Sequence, residues 1–320
     1  MASLRDIRKR IRSIKSQQKI TRAMKLVSAS KLRRAQQAIV AARPYAEGLR
    51  HVILHVAERA GENEHPLLAK REHVNKALVV VFTSDRGMAG AFNANAIRAA
   101  ERFLRDNLAA PGPGDATKIK VIELGTIGRR GRDYFRRKNL AIRNEYAGVY
   151  DGMSFTRARE IADEIAKAFV EQDLDAVYFV YNEFKSAMTQ IVRVEQLLPI
   201  APENPSDGSP AGGVPDMPRS GATTGDESHK PDSQLDYVYE PERAKLLDSL
   251  LPRYLATQVW RTLLESLASE HGARMSAMES ATKNATELIG KYTLVYNRAR
   301  QAAITKELME IVSGSEAQKG

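Results

Sequence analysis

Two glycine-bearing turns are where this chain comes nearest to enzyme chemistry. The first, Ser84-Asp85-Arg86-Gly87-Met88-Ala89-Gly90, sits between an apolar run and a helical stretch. In that setting the backbone N–H groups at a helix start can cradle a phosphate. It lacks the lysine of a P-loop and the three glycines of a dinucleotide fingerprint, so a structural turn is the simpler reading. The second, Gly125-Thr126-Ile127-Gly128-Arg129-Arg130-Gly131, has a GxxGxxG spacing equally common in plain strand-to-helix turns and is read as mostly structural. His51 and His55 stand one helical turn apart and could share a metal, but no HExxH and no carboxylate pattern accompanies them, so a solvated pair is expected. With no GxSxG elbow and no nucleophile–base grouping, no catalytic residue, cofactor or metal site is assigned, and no catalysis is expected of the chain itself.

The bulk properties point the same way. The 320 residues include no cysteine, which excludes disulfides, thiolate metal sites and a cysteine nucleophile and fits a reducing compartment. Aromatic residues make up 6% against 28% charged, a balance that suits long helices with exposed faces better than a compact enzyme core. No run of apolar residues is long enough to span a membrane. Residues 1–15 lack the apolar core of a secretory signal; they are Arg-rich like a transit peptide, but their apolar period continues unbroken, so they are read as mature structure. The net charge of +10 is unevenly placed. Residues 1–39 hold 12 Lys and Arg against Asp6 alone, while the remaining 37 basic and 38 acidic residues nearly cancel. The basic segment therefore calls for a partner.

The elements that would position these groups fall into three kinds. From Ser3, a plausible N-cap, Leu4, Ile7, Ile11 and Ile14 form a coiled-coil seam on a helix coated with Arg and Lys. The seam weakens at Gln18 and Thr21 and resumes near Met24 and Val27, and Pro44 suggests a kink. This helix runs over residues 1–60, roughly 80 Å at 1.5 Å per residue. Between residues 76 and 200 the pattern is β-α-β-α-β followed by a further helix and two strands: strands at 77–82, 118–124, 141–144, 176–181 and 188–197, helices from about Asn93, at 128–138 and at 154–171. That order predicts a small, mostly parallel, Rossmann-like sheet with an antiparallel edge. Residues 202–234 hold six Pro, five Gly and five Ser and read as a disordered insert. From 242 to 313 the helical period returns, roughly 105 Å if unbroken. Met278, Ala281, Ala285, Leu288, Tyr292, Val295, Ala299 and Ala302 mark its heptad seam. The fold expected is α/β: a long antiparallel coiled coil of N- and C-terminal helices, with the C-terminal tip projecting alone, plus a small Rossmann-like central domain.

Ile7-Arg8-Lys9-Arg10-Ile11 and the run from Gln18 to Leu32 (QKITRAMKLVSASKL) resemble the opening helix of the gamma subunits of F-type ATP synthases. Leu267-Ala268-Ser269-Glu270, Arg274-Met275, Met278 to Thr282 and Tyr296 to Leu308 (YNRARQAAITKEL) are similar to the closing helix of that family, and Thr83 to Gly87, Gln196 to Pro199 and Asp236 to Pro241 also match its landmarks. The resemblance covers nearly the whole chain apart from the insert. It implies a rotor shaft within a ring of alpha and beta subunits, its foot on the c-ring beside the epsilon subunit, turned by ion flow and forcing each beta subunit in turn through its states, with the reverse during ATP hydrolysis. It implies that Arg300, Gln301, Thr305 and Glu307 form a polar catch against the beta subunits, with Lys19, Arg22 and Lys25 nearby on the opposed helix, and that Tyr237, Tyr239 and Glu240 meet the c-ring. It implies a peripheral location on the cytoplasmic face of the bacterial inner membrane, touching the membrane only through the c-ring. Ala89 stands where some relatives carry cysteine, and no paired cysteines occur, so the thiol regulation of the chloroplast relatives is not expected. The insert, with Asp226, Glu227 and Asp232, is a candidate regulatory or spacer loop.

Two other classes compete with the shaft. A basic coiled-coil adaptor would bind nucleic acid through residues 5–34, and its duplex affinity would fall steeply with salt. The first helix has no interleaved stacking aromatics, however, so a protein partner is preferred and no nucleic acid is expected. A Rossmann-like nucleotide enzyme would require ATP or NAD binding by residues 76–200.

Overall fold

The computed structural model describes residues 3–59, 65–69, 71, 73–108, 118–171, 173–200 and 243–317. The 202–234 insert and Tyr237, Tyr239 and Glu240 lie outside the described residues. The chain divides into two compact units, one of Met1–Ser30 with Arg274–Gly320 and the other of Lys31–Ala273.

The first unit pairs the start of helix α1 (Leu4–Arg59) with the end of helix α5 (Arg243–Ala317). α1 opens on a reciprocal cap: the Asp6 N–H donates to Ser3 Oγ at 3.2 Å, and the Asp6 carboxylate accepts from the Ser3 N–H at 3.3 Å. Two otherwise unpaired donors are thereby satisfied, with Asp in the role that Glu or Gln usually fills. Across the pair, Lys25 meets Glu279, Thr21 meets Thr282, Gln18 meets Thr286, Arg10 meets Tyr292 and Arg8 meets Tyr296. Rising numbers on one helix match falling numbers on the other, so the pair is antiparallel, as expected.

Both seams differ in detail from the sequence reading. α1 keeps its three-four step through Gln18, Thr21, Lys25 and Ser28. Thr21 and Ser28 are buried while Val27 is 57% exposed, so the seam turns polar instead of shifting to Met24 and Val27. On α5 the inward track is Met278, Thr282, Ala285, Ile289, Tyr292 and Tyr296, and Leu288 and Val295 are exposed. Neighbouring apolar residues at 288/289 and 295/296 make two tracks equally apolar. The track adopted is the one that carries the Thr282 and Tyr296 hydroxyls to Thr21 and Arg8.

The second unit is built on a five-stranded sheet of order β3-β2-β1-β4-β5: β1 (Lys76–Phe82), β2 (Val121–Ile127), β3 (Ile142–Tyr146), β4 (Ala176–Phe184) and β5 (Gln190–Leu198). The first four are parallel and β5 is the antiparallel edge. β2 begins three residues later than predicted, because Gly125-Thr126-Ile127, read as turn, are its buried end. Both faces of β1 are covered, which is why its sequence is apolar without alternation. Val79 and Val81 pack toward α2 (Phe92–Asn107) and α3 (Arg129–Arg137). Leu78, Val80 and Phe82 pack toward α4 (Phe155–Val170), with Leu49 and Ile53 of α1 and Leu247 to Leu263 of α5 in the same cluster. α1 carries Pro44, and α5 Pro252, in the helix interior without ending there.

Candidate functional site

The rim at the carboxyl ends of β1 and β4 is where a doubly wound sheet receives ligands, since the strand order reverses between them. Here the chain occupies that rim itself. The first N–H groups of α3, the donors a phosphate would need, are taken by three consecutive residues. Arg129 N–H donates to Asp85 Oδ1 at 3.1 Å, Arg130 N–H to the Ser84 carbonyl at 3.1 Å, and Gly131 N–H to Thr83 Oγ1 at 2.8 Å. Thr83 Oγ1 in turn donates to the Ile127 carbonyl at 2.9 Å, and Asp85 Oδ1 also accepts from Gly148 N–H at 3.1 Å. The Asp85 carboxylate is thus the resident anion at the helix start, and it would repel a second one.

This clamp explains the glycine spacing. Gly128 has φ +89, and a Cβ there would stand 2.0 Å from the Thr83 carbonyl oxygen; at Gly131 it would stand 2.8 Å from Thr83 Oγ1. Only glycine lets α3 approach β1 this closely.

α5 covers the rest of the rim. Ser269 Oγ donates to the Asn182 carbonyl at 2.9 Å, and the Tyr150 hydroxyl to Ser266 Oγ at 3.1 Å. Ala273 is buried against Ala89 and Phe92, and Gly272 lies close enough to Ala187 that an added Cβ would be 3.2 Å from its Cα. Burial pushes the Tyr150 hydroxyl far above its ordinary range, leaving it a neutral donor. Both glycine-bearing turns therefore serve structure. His51 is exposed and the His55 side chain lies outside the described residues; among the described residues no group of His, Cys, Asp and Glu is placed to hold a metal.

The residues assigned to the catch fall at two levels of the paired helices. Arg300, Gln301, Thr305 and Glu307 are exposed on α5, beyond the level at which Arg8 meets Tyr296. Lys19 and Arg22 are exposed near Thr282 and Thr286, roughly 20–30 Å along the axis from Arg300 at 1.5 Å per residue. Lys25 is committed to Glu279 at 2.7 Å. Arg8 and Arg10 also lie over the rings of Tyr296 and Tyr292, at 5.4 and 5.8 Å from their centroids. Sequence reasoning passed over the apolar surface of the α5 tip. Every side chain from Ile304 to Ser315 is exposed, including Leu308, Met309, Ile311 and Val312, although their clustering past the heptad seam is visible in the sequence.

The fold first defines a class, an α/β domain carried on one chain with an antiparallel pair of long terminal helices. The family model described as ATP synthase matches residues 3–318. The chain is 52% identical over its full length to the whole ATP synthase gamma chain of Anaeromyxobacter sp. (strain Fw109-5), and 47% identical, again full length to full length, to that of Geobacter sp. (strain M21). The chain belongs to the ATP synthase gamma chain family. In fold it is similar to a chain of the Euglena gracilis mitochondrial ATP synthase in its OSCP/F1/c-ring structure, with a TM-score of 0.63 at 19% identity, covering 98% of this chain and 94% of that one. It is likewise similar to a chain of the Tetrahymena thermophila mitochondrial central stalk/c-ring, with a TM-score of 0.56 at 22% identity, covering 82% and 99%.

Proposed function

We propose that this chain is the central shaft of an F-type ATP synthase, a non-catalytic subunit that couples ion-driven rotation of a c-ring to conformational change in the beta subunits, and the reverse during ATP hydrolysis. The observation that carries this reading is the α5 tip, whose apolar side chains are exposed in the chain by itself. A surface of that kind marks an interaction site, and a ring of alpha and beta subunits would cover it. An asymmetric pair of helices presents a different face to each of the surrounding sites, which is how one part can bias otherwise equal sites differently.

The helices of residues 1–60 and 242–313 form the shaft on this reading, and Tyr237, Tyr239 and Glu240 meet the c-ring beside the epsilon subunit. Arg300, Gln301, Thr305 and Glu307 act as one catch on the beta subunits, and Lys19 and Arg22 as a second contact level. The chain is peripheral to the cytoplasmic face of a bacterial inner membrane; no helix among the described residues is long and apolar enough to cross a membrane. The nucleic-acid reading loses support because Arg8, Arg10 and Lys25 have partners on α5.

Coexpression with the neighbouring alpha and beta subunits, with and without truncation after Gly290, tests the proposal. Stable assembly whose ATPase depends on the full-length chain is expected. Failure to associate, together with duplex binding that weakens steeply with salt, would return the basic adaptor to first place.

A further inference from the structure

The contact between α5 and the β4–β5 hairpin holds a buried charge cluster that none of the roles above uses. β4 contributes Tyr181 and Glu183, the following turn Lys185, β5 Arg193 and Glu195, and α5 Arg261 and Glu265, one helical turn apart. Two of the three carboxylates are fully engaged. Glu183 accepts from Arg193 Nε at 2.9 Å and from Lys185 Nζ at 2.8 Å. Glu195 accepts from Arg261 Nη2 through one oxygen and from the Tyr181 hydroxyl through the other, both at 2.6 Å.

Glu265 is the exception. It is 5% exposed, and both its Oε2 and the Nε of Arg261 are buried without a hydrogen-bond partner. As an anion it would face the carboxylates of Glu183 and Glu195, and its strongest opposing cation, Arg261, is already bonded to Glu195. A buried unpaired charge is more costly than a buried neutral acid.

We propose that Glu265 is a proton-operated latch: protonated, it lets the β4–β5 hairpin seat on α5, and ionised, it loosens that seat. Burial pushes its carboxyl up to about 7; Arg261 opposes the rise, Glu183 and Glu195 add to it, and Lys185 opposes it. These groups come from its own helix, β4, β5 and the intervening turn, with Arg193 of β5 held on Glu183. Because the folded state holds the proton more tightly than the unfolded chain, unfolding releases it between the ordinary carboxylate range and about 7. Stability from this group is therefore gained as pH falls through about 7, by at most roughly tenfold in the folding equilibrium per pH unit. His65 acts with the opposite sign: burial holds its imidazole below the ordinary value against the pull of Asp248, so it disfavours the folded state on the acid side.

The inference concerns the chain's own cohesion and stands apart from the rotor reading. The full chain has one tryptophan, Trp260, which precedes Arg261 on α5 and lies 6.2 Å edge-to-face from Phe155 of α4, so its fluorescence reports on the packing of this stretch of α5. Titrating the native full chain should give a fluorescence transition near pH 7 that is absent in Glu265→Gln. Relative to Glu265→Gln, which keeps the opposite contribution of His65, the denaturant midpoint of the parent should fall as pH rises through about 7. Arg261→Gln removes the opposing cation and should move the fluorescence midpoint upward. A transition that survives Glu265→Gln, an unmoved midpoint in Arg261→Gln, or parallel loss of stability in parent and Glu265→Gln would overturn the proposal.

Discussion

The paired helices and the α/β unit solve opposite problems with the same kinds of residue. In the α/β unit, polar side chains serve to close a surface: Thr83, Ser84 and Asp85 consume the donors of α3, and Ser266 and Ser269 fasten α5 over the rim. In the paired helices, polar side chains lie in the seam and the apolar ones of the tip remain outside. A rim filled by the chain's own side chains and an apolar tip left exposed are the two features on which the proposed shaft role rests.

Variants can break that contrast by design, beginning with the largest effect. Phe82→Ala or Phe179→Ala removes a fully buried ring of the sheet core and should cost about 3–5 kcal/mol in denaturant unfolding, whereas Leu308→Ala on the exposed tip should change stability by less than about 0.5 kcal/mol. If the tip substitution instead cost several kcal/mol, the tip would be packed within the free chain. Gly128→Ala forces a Cβ to 2.0 Å from a carbonyl oxygen at positive φ, so α3 must move away from β1; a loss above about 2 kcal/mol is expected. Asp85→Ala strips the carboxylate from the start of α3 and should cost about 1–2 kcal/mol. A gain of phosphate affinity in that variant would show that the clamp hides a working anion site. In the seam, Thr21→Val alone takes from the Thr282 hydroxyl its partner across the pair and leaves its bond to the Met278 carbonyl at 2.7 Å, so a double-mutant cycle with Thr282→Val should show at most about 1 kcal/mol of coupling. Lys25→Ala, which breaks a half-exposed pair with Glu279, should matter least, by under about 1 kcal/mol and less at high salt.

How legible each region was in the sequence follows from the same contrast. Ala77 to Phe82 and Ala176 to Tyr181 announce buried parallel strands because burial on both faces leaves no alternation to misread, and with them came a mostly parallel sheet with an antiparallel edge; its strand order came only from the structure. β2 was misplaced because Gly125 and Thr126 are turn formers by type yet end a buried strand. The seams were harder. Apolar periodicity locates Leu4, Ile7, Ile11 and Ile14, but Gln18 and Thr21 look like a fading seam until Thr286 and Thr282 are seen across from them. The clamp at Thr83-Ser84-Asp85 could be called a turn; that its three residues would meet three successive N–H groups 44 to 48 positions later depends on strand register, which local patterns do not encode. The catch residues came from resemblance alone, and only the pairing register separated them into two levels.

The central claim is that this chain works by turning inside its partners, and the absence of cysteine allows a direct test. With Arg300→Cys as the only thiol in the chain, the assembled enzyme is tethered to the surrounding ring through a reducible cross-linker, and ATPase is measured before linking, after linking and after reduction. The account predicts that ATPase is lost on linking and returns on reduction. Undiminished ATPase in a fully tethered assembly would contradict it.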